Sequence, residues 1–236
     1  MHSCDPAEEN PADGRAAGSA DLDGLARCFI EGPVVDVDGY PYFVNPLADG
    51  VPCVDPVLLG DAAEGLRKLA GDGYGIILAP EAMGIPIGAA LSLRTGIPFS
   101  IVRKRRYGLP GETAVEQSTG YSRSAMYING VQAGDRVLVV DDVIDTGGTV
   151  GCIVRALRSI GAEVVCVAAV YDRSRDPDGI SADLGVPVRA LLRVGVTDGR
   201  PVVLRRRDSR ATYYLIPAQQ GTPWIRSSWR RASPCL

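Results

Sequence analysis

The stretch from Val137 to Thr149 constrains the fold of this chain more than any other. It opens with Val-Leu-Val-Val, and an apolar run rich in β-branched side chains is typical of a buried strand in a parallel sheet. Two carboxylates, Asp141 and Asp142, follow where we expect this strand to end. A turn of sequence Asp-Thr-Gly-Gly-Thr comes next, and then apolar residues at helical spacing that stop at Gly161. The stretch therefore predicts a strand, an acidic pair, a glycine turn and a helix.

This order of elements predicts a site for a phosphorylated sugar. Ligands of open α/β sheets bind beyond the carboxyl ends of the strands, and backbone N–H groups at a helix N-terminus bind anions. Carboxylates at the same edge favour sugar hydroxyls or a hydrated Mg2+. The alternative is an ordinary strand–turn–helix unit whose aspartates are only solvated. A Walker-type phosphate loop is excluded, because Thr149 rather than lysine follows Gly148.

Composition excludes several other classes of protein. With 236 residues, 46% of them hydrophobic, the chain can bury one core. Its net charge of -3 gives no reason to expect a nucleic-acid partner, and we expect neither a membrane span nor a signal peptide. The six cysteines have no paired spacing, so we expect free thiols in a cytoplasmic protein. The single histidine, His2, excludes a Ser-His-Asp triad and histidine-based metal chemistry.

The two ends of the chain differ in composition from its middle. Residues 1–24 are polar with few large apolar side chains, which predicts a disordered segment. Residues 205–236 form a basic extension with interleaved tyrosines and tryptophans. That pattern is compatible with RNA binding, but we favour docking on the subunit or on a partner. One domain is predicted between them, at residues 25–204.

Within this domain, a hairpin is predicted around Asp38-Gly39. Its second arm carries Tyr40, Tyr42 and Phe43 in a chain that is only 6% aromatic. The hairpin either covers the core or forms a platform for a planar base, and the aromatic side chains favour the platform slightly.

A second strand–loop–helix unit repeats the pattern of the first. A strand at 75–79 is followed by the loop Pro80–Gly84, whose amides at a helix start would hold a second anion. A strand at 97–102 leads into four cations, Arg103 to Arg106, at the same sheet edge. The segment from there to Tyr121 has the composition of a loop and the length of a lid. A later strand, predicted at 163–170, ends at Tyr171-Asp172-Arg173 on this edge, and a closing hairpin is expected around 197–199.

From about Pro33 to Leu204 the chain resembles the archaeal-type hypoxanthine/guanine phosphoribosyltransferases, a type I phosphoribosyltransferase branch close to the adenine enzymes. The resemblance implies an α/β fold with a central, mainly parallel sheet flanked by helices, a small hood hairpin at about 30–56, a lid at about 104–122, and a homodimer. The motifs that carry it are NPLADGVP at 45–52, EAMGIP at 81–86, RKRRYGLPGE at 103–112, STGYS at 118–122, VDDVIDTGGT at 140–149 and TDG at 197–199.

The resemblance also implies a reaction. The 5-phosphoribosyl group of 5-phosphoribosyl pyrophosphate (PRPP) would pass to a purine or purine-like base, either hypoxanthine/guanine or a 7-deazapurine, with Mg2+ on the pyrophosphate. The residues implied to bind PRPP are Asp141, Asp142, Asp145, Thr146, Gly147, Gly148, Thr149, Ala82, Met83, Gly84, Arg103 and Lys104. The metal would be held by Asp141 and Asp142, directly or through water. The residues implied to contact the base are Tyr42, Phe43, Val44, Tyr171, Asp172 and Arg173.

The candidate catalytic residues are Asp145, Tyr121 and Glu112. Adenine-specific relatives carry a glutamate before the lid tyrosine, where this chain has Gly120, and Ala or Ser in place of Asp145. In the mammalian-type hypoxanthine/guanine enzymes an aspartate at the equivalent place handles a proton of the base. The resemblance therefore implies this role for Asp145, with capping of the following helix as the alternative.

The alternative function is a PRPP-sensing regulator on the same fold. Such regulators add a DNA-binding helical module, and the first residues here are too polar to form one.

Overall fold

The computed structural model describes residues 20–119 and 122–206. The predictions for residues 1–19, for Tyr121 and for most of the basic extension lie outside the described residues. The elements in chain order are α1 (Leu22–Ile30), β1 (Val34–Val37), β2 (Tyr40–Phe43), α2 (Pro46–Asp49), α3 (Pro56–Ala70), β3 (Ile76–Pro80), α4 (Gly84–Thr95), β4 (Phe99–Val102), β5 (Thr113–Thr119), β6 (Ser122–Ile128), β7 (Arg136–Ile144), α5 (Gly148–Ile160), β8 (Glu163–Asp172), α6 (Pro177–Leu184), β9 (Val188–Thr197) and β10 (Arg200–Arg206).

A six-stranded sheet forms the centre, with the strand order β10-β9-β8-β7-β3-β4. Neighbouring strands pair in parallel, except β9 and β10, which form the predicted closing hairpin. One apolar cluster packs α1, α3 and α4 against one face of the sheet, and a second packs α5 against the other. Coverage of both faces explains why the central strands are nearly continuous in Val, Ile, Leu and Ala. The predicted α/β fold with a mainly parallel sheet is confirmed.

The predicted hood hairpin is also confirmed, and it packs against the hydrophobic core. Asp38 and Gly39 form its turn with positive φ values of 55° and 79°, as a tight two-residue hairpin requires. Phe43 at the end of β2 packs against Phe29 of α1 with ring centroids 4.7 Å apart. The ring of Phe29 in turn lies 5.2 Å from that of Tyr171 on β8. The hood is therefore continuous with the main hydrophobic core.

Strand β7 is longer than predicted. We expected it to end before the acidic pair, but it continues through Asp141 and Asp142 to Ile144. The extension follows from its neighbour, because β8 runs on to Asp172, which lies opposite Ile144 in the parallel register. The acidic side chains therefore project from a hydrogen-bonded strand rather than from a loop.

The predicted lid is a loop in its first part alone. Residues 104–112, here called the lid loop, are irregular, but β5 then pairs with β6 as an antiparallel ribbon. The expectation of loop structure up to Tyr121 is wrong for β5, because Val115 and Met126 are buried in the cluster that contains α5. A ribbon with one buried face gains the packing that a free loop lacks.

Helices α1, α2 and α6 were not predicted. Asp21 caps α1 by accepting the amide of Gly24 at 2.9 Å, and four apolar side chains of α1 are buried. The assignment of residues up to 24 to a disordered segment is therefore wrong at its C-terminal end. Helix α6 buries none of its residues fully, so its sequence carries little periodic signal. No helix in the described ranges is long and apolar enough to cross a membrane.

Candidate active site

Asp141 and Asp142 form the floor of the candidate site. Asp141 is 9% exposed, and its Oδ1 accepts the backbone amide of Asp142 at 3.0 Å. Burial raises the pKa of Asp141 well above its ordinary value, and the charge of Asp142 raises it further. Burial also raises the pKa of Asp142, although hydrogen bonding to Asp141 opposes this. Two crowded carboxylates at a strand end favour a ligand that brings hydroxyl donors or positive charge.

The turn after β7 forms an anion cup, residues 145–149. Gly147 is the N-cap of α5 at φ 75°, and as a glycine it supplies no side chain to cap the helix. A hydrogen bond from the Gly148 amide to the Thr146 hydroxyl is long, at 3.3 Å. A Cβ on Gly147 would lie 3.0 Å from Cγ2 of Ile180 on α6. The cup therefore needs glycine for both its backbone conformation and its packing. Its open helix N-terminus suits a phosphate.

A second helix N-terminus lies against the acidic pair. Helix α4 starts at Gly84, and its N-cap, Met83, makes no side-chain cap hydrogen bond. A Cβ on Gly84 would lie 3.1 Å from Oδ1 of Asp141 and 3.1 Å from the carbonyl oxygen of Val140. The start of α4 and Asp141, which were predicted from the sequence to share one site, therefore lie close together.

Glu81 ties the start of the lid loop to this second helix N-terminus. Its Oε1 accepts the backbone amide of Lys104 at 3.0 Å, and its Oε2 lies 3.4 Å from Nε of Arg103. Sequence analysis predicted roles for the two cations but gave none to Glu81. The cations thus stand beside the loop that would hold the second anion.

Glu112 is engaged within its own loop. Its carboxylate accepts the amides of Tyr107 at 2.8 Å and Gly108 at 2.7 Å, and the Asn129 side chain at 3.1 Å. Burial would raise its pKa, but these donors and Arg106 overcome that effect and lower it. Within residues 20–119 and 122–206, no hydrogen bond or ion pair of Glu112 reaches the acidic pair or the anion cup. Its geometry is that of an anchor for the lid loop.

The hood presents one predicted base contact to the site and buries another. The Tyr42 hydroxyl donates to Oδ1 of Asp49 at 2.7 Å. Burial and this hydrogen bond raise the pKa of Tyr42 to about 12, and the charge of Asp142 adds to the shift, which indicates that the two lie near each other. Phe43 is buried in the core. Val44 donates its amide to the carbonyl of Pro33 at 2.9 Å.

The end of β8 separates its three predicted base contacts. Tyr171 is 0% exposed, and its ring lies in the hydrophobic core. Asp172 is also buried, where it accepts the amide and hydroxyl of Ser174 at 2.8 and 2.6 Å. Arg173 remains accessible, with its Cζ 4.5 Å from the ring centroid of Tyr40.

Asn45, which follows the hood strand β2, contacts three neighbouring elements. Its Oδ1 accepts the hydroxyl of Tyr171 at 3.2 Å and the amide of Leu47 at 2.9 Å. Its Nδ2 approaches Sγ of Cys28 at 3.7 Å, and its backbone amide donates to Asp49 at 2.8 Å. One buried side chain thus joins α1, α2 and β8. Sequence analysis quoted Asn45 within a motif but assigned it no role.

A cleft of about 540 Å³ opens beside the anion cup. Burial raises the pKa of Asp145, and the opposing charge of Arg175 lowers it in part. Asp145 does not cap α5, since the N-cap is Gly147. Arg193 holds the segment that carries Arg175, donating to the carbonyl oxygen of Arg175 at 3.1 Å. Sequence analysis missed Arg175, although its place after a strand end was a usable signal. The cleft is lined by Tyr40, Asp145, Thr146, Ser174, Arg175, Asp176, Gly179, Ile180 and Asp183.

Comparison with known proteins decides the family. Residues 59–185 match the family model described as "Phosphoribosyl transferase domain". The chain belongs to this phosphoribosyltransferase family. It is 45% identical over 184 residues to a protein of Methanobacterium lacus named hypoxanthine/guanine phosphoribosyltransferase, an alignment that covers 78% of this chain and 97% of the relative. It is 50% identical over 179 residues to HGPRTase-like protein 3 of Haloterrigena turkmenica, covering 75% and 95% of the two chains.

Solved structures agree with the family. The crystal structure of adenine phosphoribosyltransferase from Thermoanaerobacter pseudethanolicus superposes with a TM-score of 0.60 at 28% identity, covering 73% of this chain and 99% of that one. The adenine phosphoribosyltransferase of Saccharomyces cerevisiae shares the fold, with a TM-score of 0.58 at 23% identity and coverage of 72% and 98%. The resemblance stated from the sequence motifs is thereby confirmed.

The donor set of this phosphoribosyltransferase fits a Mg2+ ion that is held mainly by its substrate. Among the described residues, no group of three or more His, Cys, Asp or Glu side chains could hold a metal. Asp141 and Asp142 remain as adjacent oxygen donors with crowded charge. Mg2+ in phosphate-handling sites is commonly bound by one or two carboxylates, waters and substrate phosphates. The pair is suited to that role.

Proposed function

We propose that the chain transfers the 5-phosphoribosyl group of PRPP to a purine base, giving a nucleoside monophosphate and pyrophosphate. The observation that carries this proposal is that two helix N-termini adjoin one acidic pair: the start of α4 at Gly84 lies close to Asp141, and α5 begins just after the strand that carries Asp141 and Asp142. PRPP has phosphate at both ends of a ribose that bears two hydroxyl groups. An anion site, a pair of acceptors and a second anion site match it in that order.

Each part of PRPP has an assigned group in this proposal. The 5-phosphate binds in the anion cup, with the amides of 146–149 as donors. Asp141 and Asp142 accept from the ribose hydroxyls. The pyrophosphate binds at 82–84 with Arg103 and Lys104. Mg2+, when bound, neutralises charge on the departing pyrophosphate.

The base enters between the hood and the end of β7. A nitrogen of its imidazole ring forms a bond to the anomeric carbon as the bond to pyrophosphate breaks. Because positive charge develops on the ribose, neutralising the leaving group and excluding water contribute most to the rate. Asp145 takes the proton that the base loses, and the lid loop with the β5–β6 ribbon covers the site.

The residues proposed at the base are fewer than the sequence suggested. Tyr42, Val44 and Arg173 remain as contacts, and Asp172 acts through the Ser174 turn. The burial of Tyr171 and Phe43 argues against direct contact with the base. The engagement of Glu112 in its own loop argues against direct catalysis.

Hypoxanthine and guanine are the preferred bases in this proposal, because two similar proteins carry names derived from them. A 7-deazapurine is an alternative base for the same site. We expect a homodimer, which size-exclusion chromatography with light scattering would test. Free thiols among the described cysteines support a cytoplasmic protein.

The test is product formation. The chain is incubated with PRPP, Mg2+ and, separately, hypoxanthine, guanine, adenine or a 7-deazapurine, and pyrophosphate and nucleotide are quantified. We expect release with at least one base, and loss of at least about 100-fold in the Asp141→Asn/Asp142→Asn double variant. PRPP binding by calorimetry without release for any base would instead indicate a PRPP sensor. No PRPP binding would contradict the proposal.

A further inference from the structure

Arg173 has its guanidinium held against two aromatic rings, and no acidic side chain of the part of the chain that the structure describes forms an ion pair with it. Its Cζ lies 4.5 Å from the ring centroid of Tyr40 and 5.7 Å from that of Phe43. Within residues 20–119 and 122–206, no ion pair or side-chain hydrogen bond is recorded for it. Partial burial lowers its pKa. A partly buried guanidinium with unused donors favours a ligand that carries acceptor atoms.

The position of Arg173 places these donors beside the base. Its backbone amide donates to the carbonyl oxygen of Ile144 at 2.8 Å, so it lies level with the last residue of β7, immediately before Asp145. Tyr40, on which its guanidinium rests, also lines the cleft that contains Asp145. Arg173 therefore bridges the hood and the edge where the ribose carbon would react.

The two aromatic contacts also restrain the side chain. A guanidinium held over aromatic faces loses less conformational freedom when its planar fork of donors binds a ligand. An ammonium group could occupy the same volume but would not present that fork. The arrangement suits recognition of a planar acceptor by direction as well as by charge.

We propose that Arg173 determines base specificity by donating to a carbonyl oxygen on the six-membered ring of the base. This inference rests on the proposed function and names its substrate class, the 6-oxopurines. A 6-aminopurine would set an N–H donor against the guanidinium donors, leaving both without acceptors. Sites built to hydrogen-bond a ligand reject analogues that leave their buried polar groups unpaired.

The experiment compares hypoxanthine with adenine in wild type, Arg173→Met and Arg173→Lys. We expect the wild type to favour hypoxanthine in kcat/KM, and Arg173→Met to reduce that preference by about 10- to 100-fold, the loss expected for a charge-assisted hydrogen bond. Arg173→Lys keeps the charge but loses the fork, so we expect a smaller reduction. The affinity for PRPP, measured by calorimetry, should stay unchanged in both variants.

Arg136→Met is the matched control. Arg136 lies at the opposite end of β7, in an exposed ion pair with Glu163 at 3.2 Å, and such pairs contribute little to stability. Its removal should leave both activity and base preference unchanged. A thermal melt of each variant separates loss of folding from loss of recognition.

Nucleotide binding gives the same readout without turnover. Inosine and adenosine monophosphates are titrated into each variant, and the preference for the first should fall in Arg173→Met. An equal loss for both bases and both nucleotides, or an unchanged preference, would overturn the assignment. A wild type that binds PRPP but turns over no base would contradict the proposed function, and the nucleotide preference would then still distinguish the role of Arg173.

Discussion

Replacing Gly147 by alanine tests the anion cup directly. Gly147 has φ 75°, where a residue with a Cβ costs about 1–2 kcal/mol. The added Cβ would also lie 3.0, 3.2 and 3.3 Å from three side-chain carbons of Ile180. That side chain is only partly buried, so it can move by a few tenths of an ångström, and the contact should add at most about 1 kcal/mol. We therefore expect unfolding free energy to fall by about 1–3 kcal/mol.

Binding should respond more specifically than stability. Turning the Gly147 peptide towards an ordinary conformation reorients the amides of the anion cup, so we expect PRPP affinity to fall at least about 10-fold. Denaturant unfolding gives the first quantity, and calorimetry with PRPP and Mg2+ gives the second. The Gly147→Ala/Ile180→Ala double variant should relieve the close contact while leaving the backbone strain and most of the affinity loss.

The same helix provides a matched control. Gly161 caps the far end of α5 at φ 87°, and a Cβ there would lie 3.2 Å from the Cβ of Ala133. Gly161→Ala should lower stability by a similar amount without changing PRPP affinity. Wild-type PRPP affinity in Gly147→Ala, or equal weakening of PRPP binding in both alanine variants, would contradict a binding role for the anion cup.

Three further substitutions test the roles assigned to single side chains. Asp145→Asn should lower kcat by about 100-fold or more with little change in PRPP affinity. Burial raises the pKa of Asp145, so as the pH is lowered the wild-type kcat should begin to fall at a pH above the pKa of an ordinary aspartate. This acidic limb of the pH profile should be absent in the variant. Glu112→Gln should loosen the lid loop, raising KM for PRPP several-fold while leaving the ratio between bases unchanged, and a lost pH limb would contradict an anchoring role. Tyr171→Phe should cost about 1 kcal/mol of unfolding free energy by removing the hydrogen bond to Asn45; a changed base preference would show that Tyr171 influences recognition.

The parts of the fold that sequence predicted are those where one local pattern decides the outcome. The run Val137–Val140, the turn at Asp38-Gly39 and the stop at Gly161 each have one physically sensible conformation. The end of β7 was misjudged, because strand length depends on the neighbouring strand, and β8 pairs with it as far as Asp172. The sequence near the acids therefore could not reveal that they lie within a strand.

The residues of the candidate site also fall into those that a local sequence pattern identifies and those that it does not. The anion cup and the acidic pair are contiguous in sequence, so their composition identified them together. The roles of Glu81, Arg175 and Arg193 depend on partners that only folding brings close. Tyr171 illustrates the same limit, since its place at a strand end could not show that its ring packs against Phe29.

The anchoring of the hood by Asn45 affects how substrates enter the site and how products leave it. Because the Asn45 side chain forms hydrogen bonds with β8, α2 and α1, the hood cannot move away from the site without breaking several contacts at once. Substrate entry and product release are then expected at the lid loop, residues 104–112, whose hydrogen bonds are exposed or only partly buried. We expect the opening of the lid loop to limit the rate of turnover, while the hood stays in place.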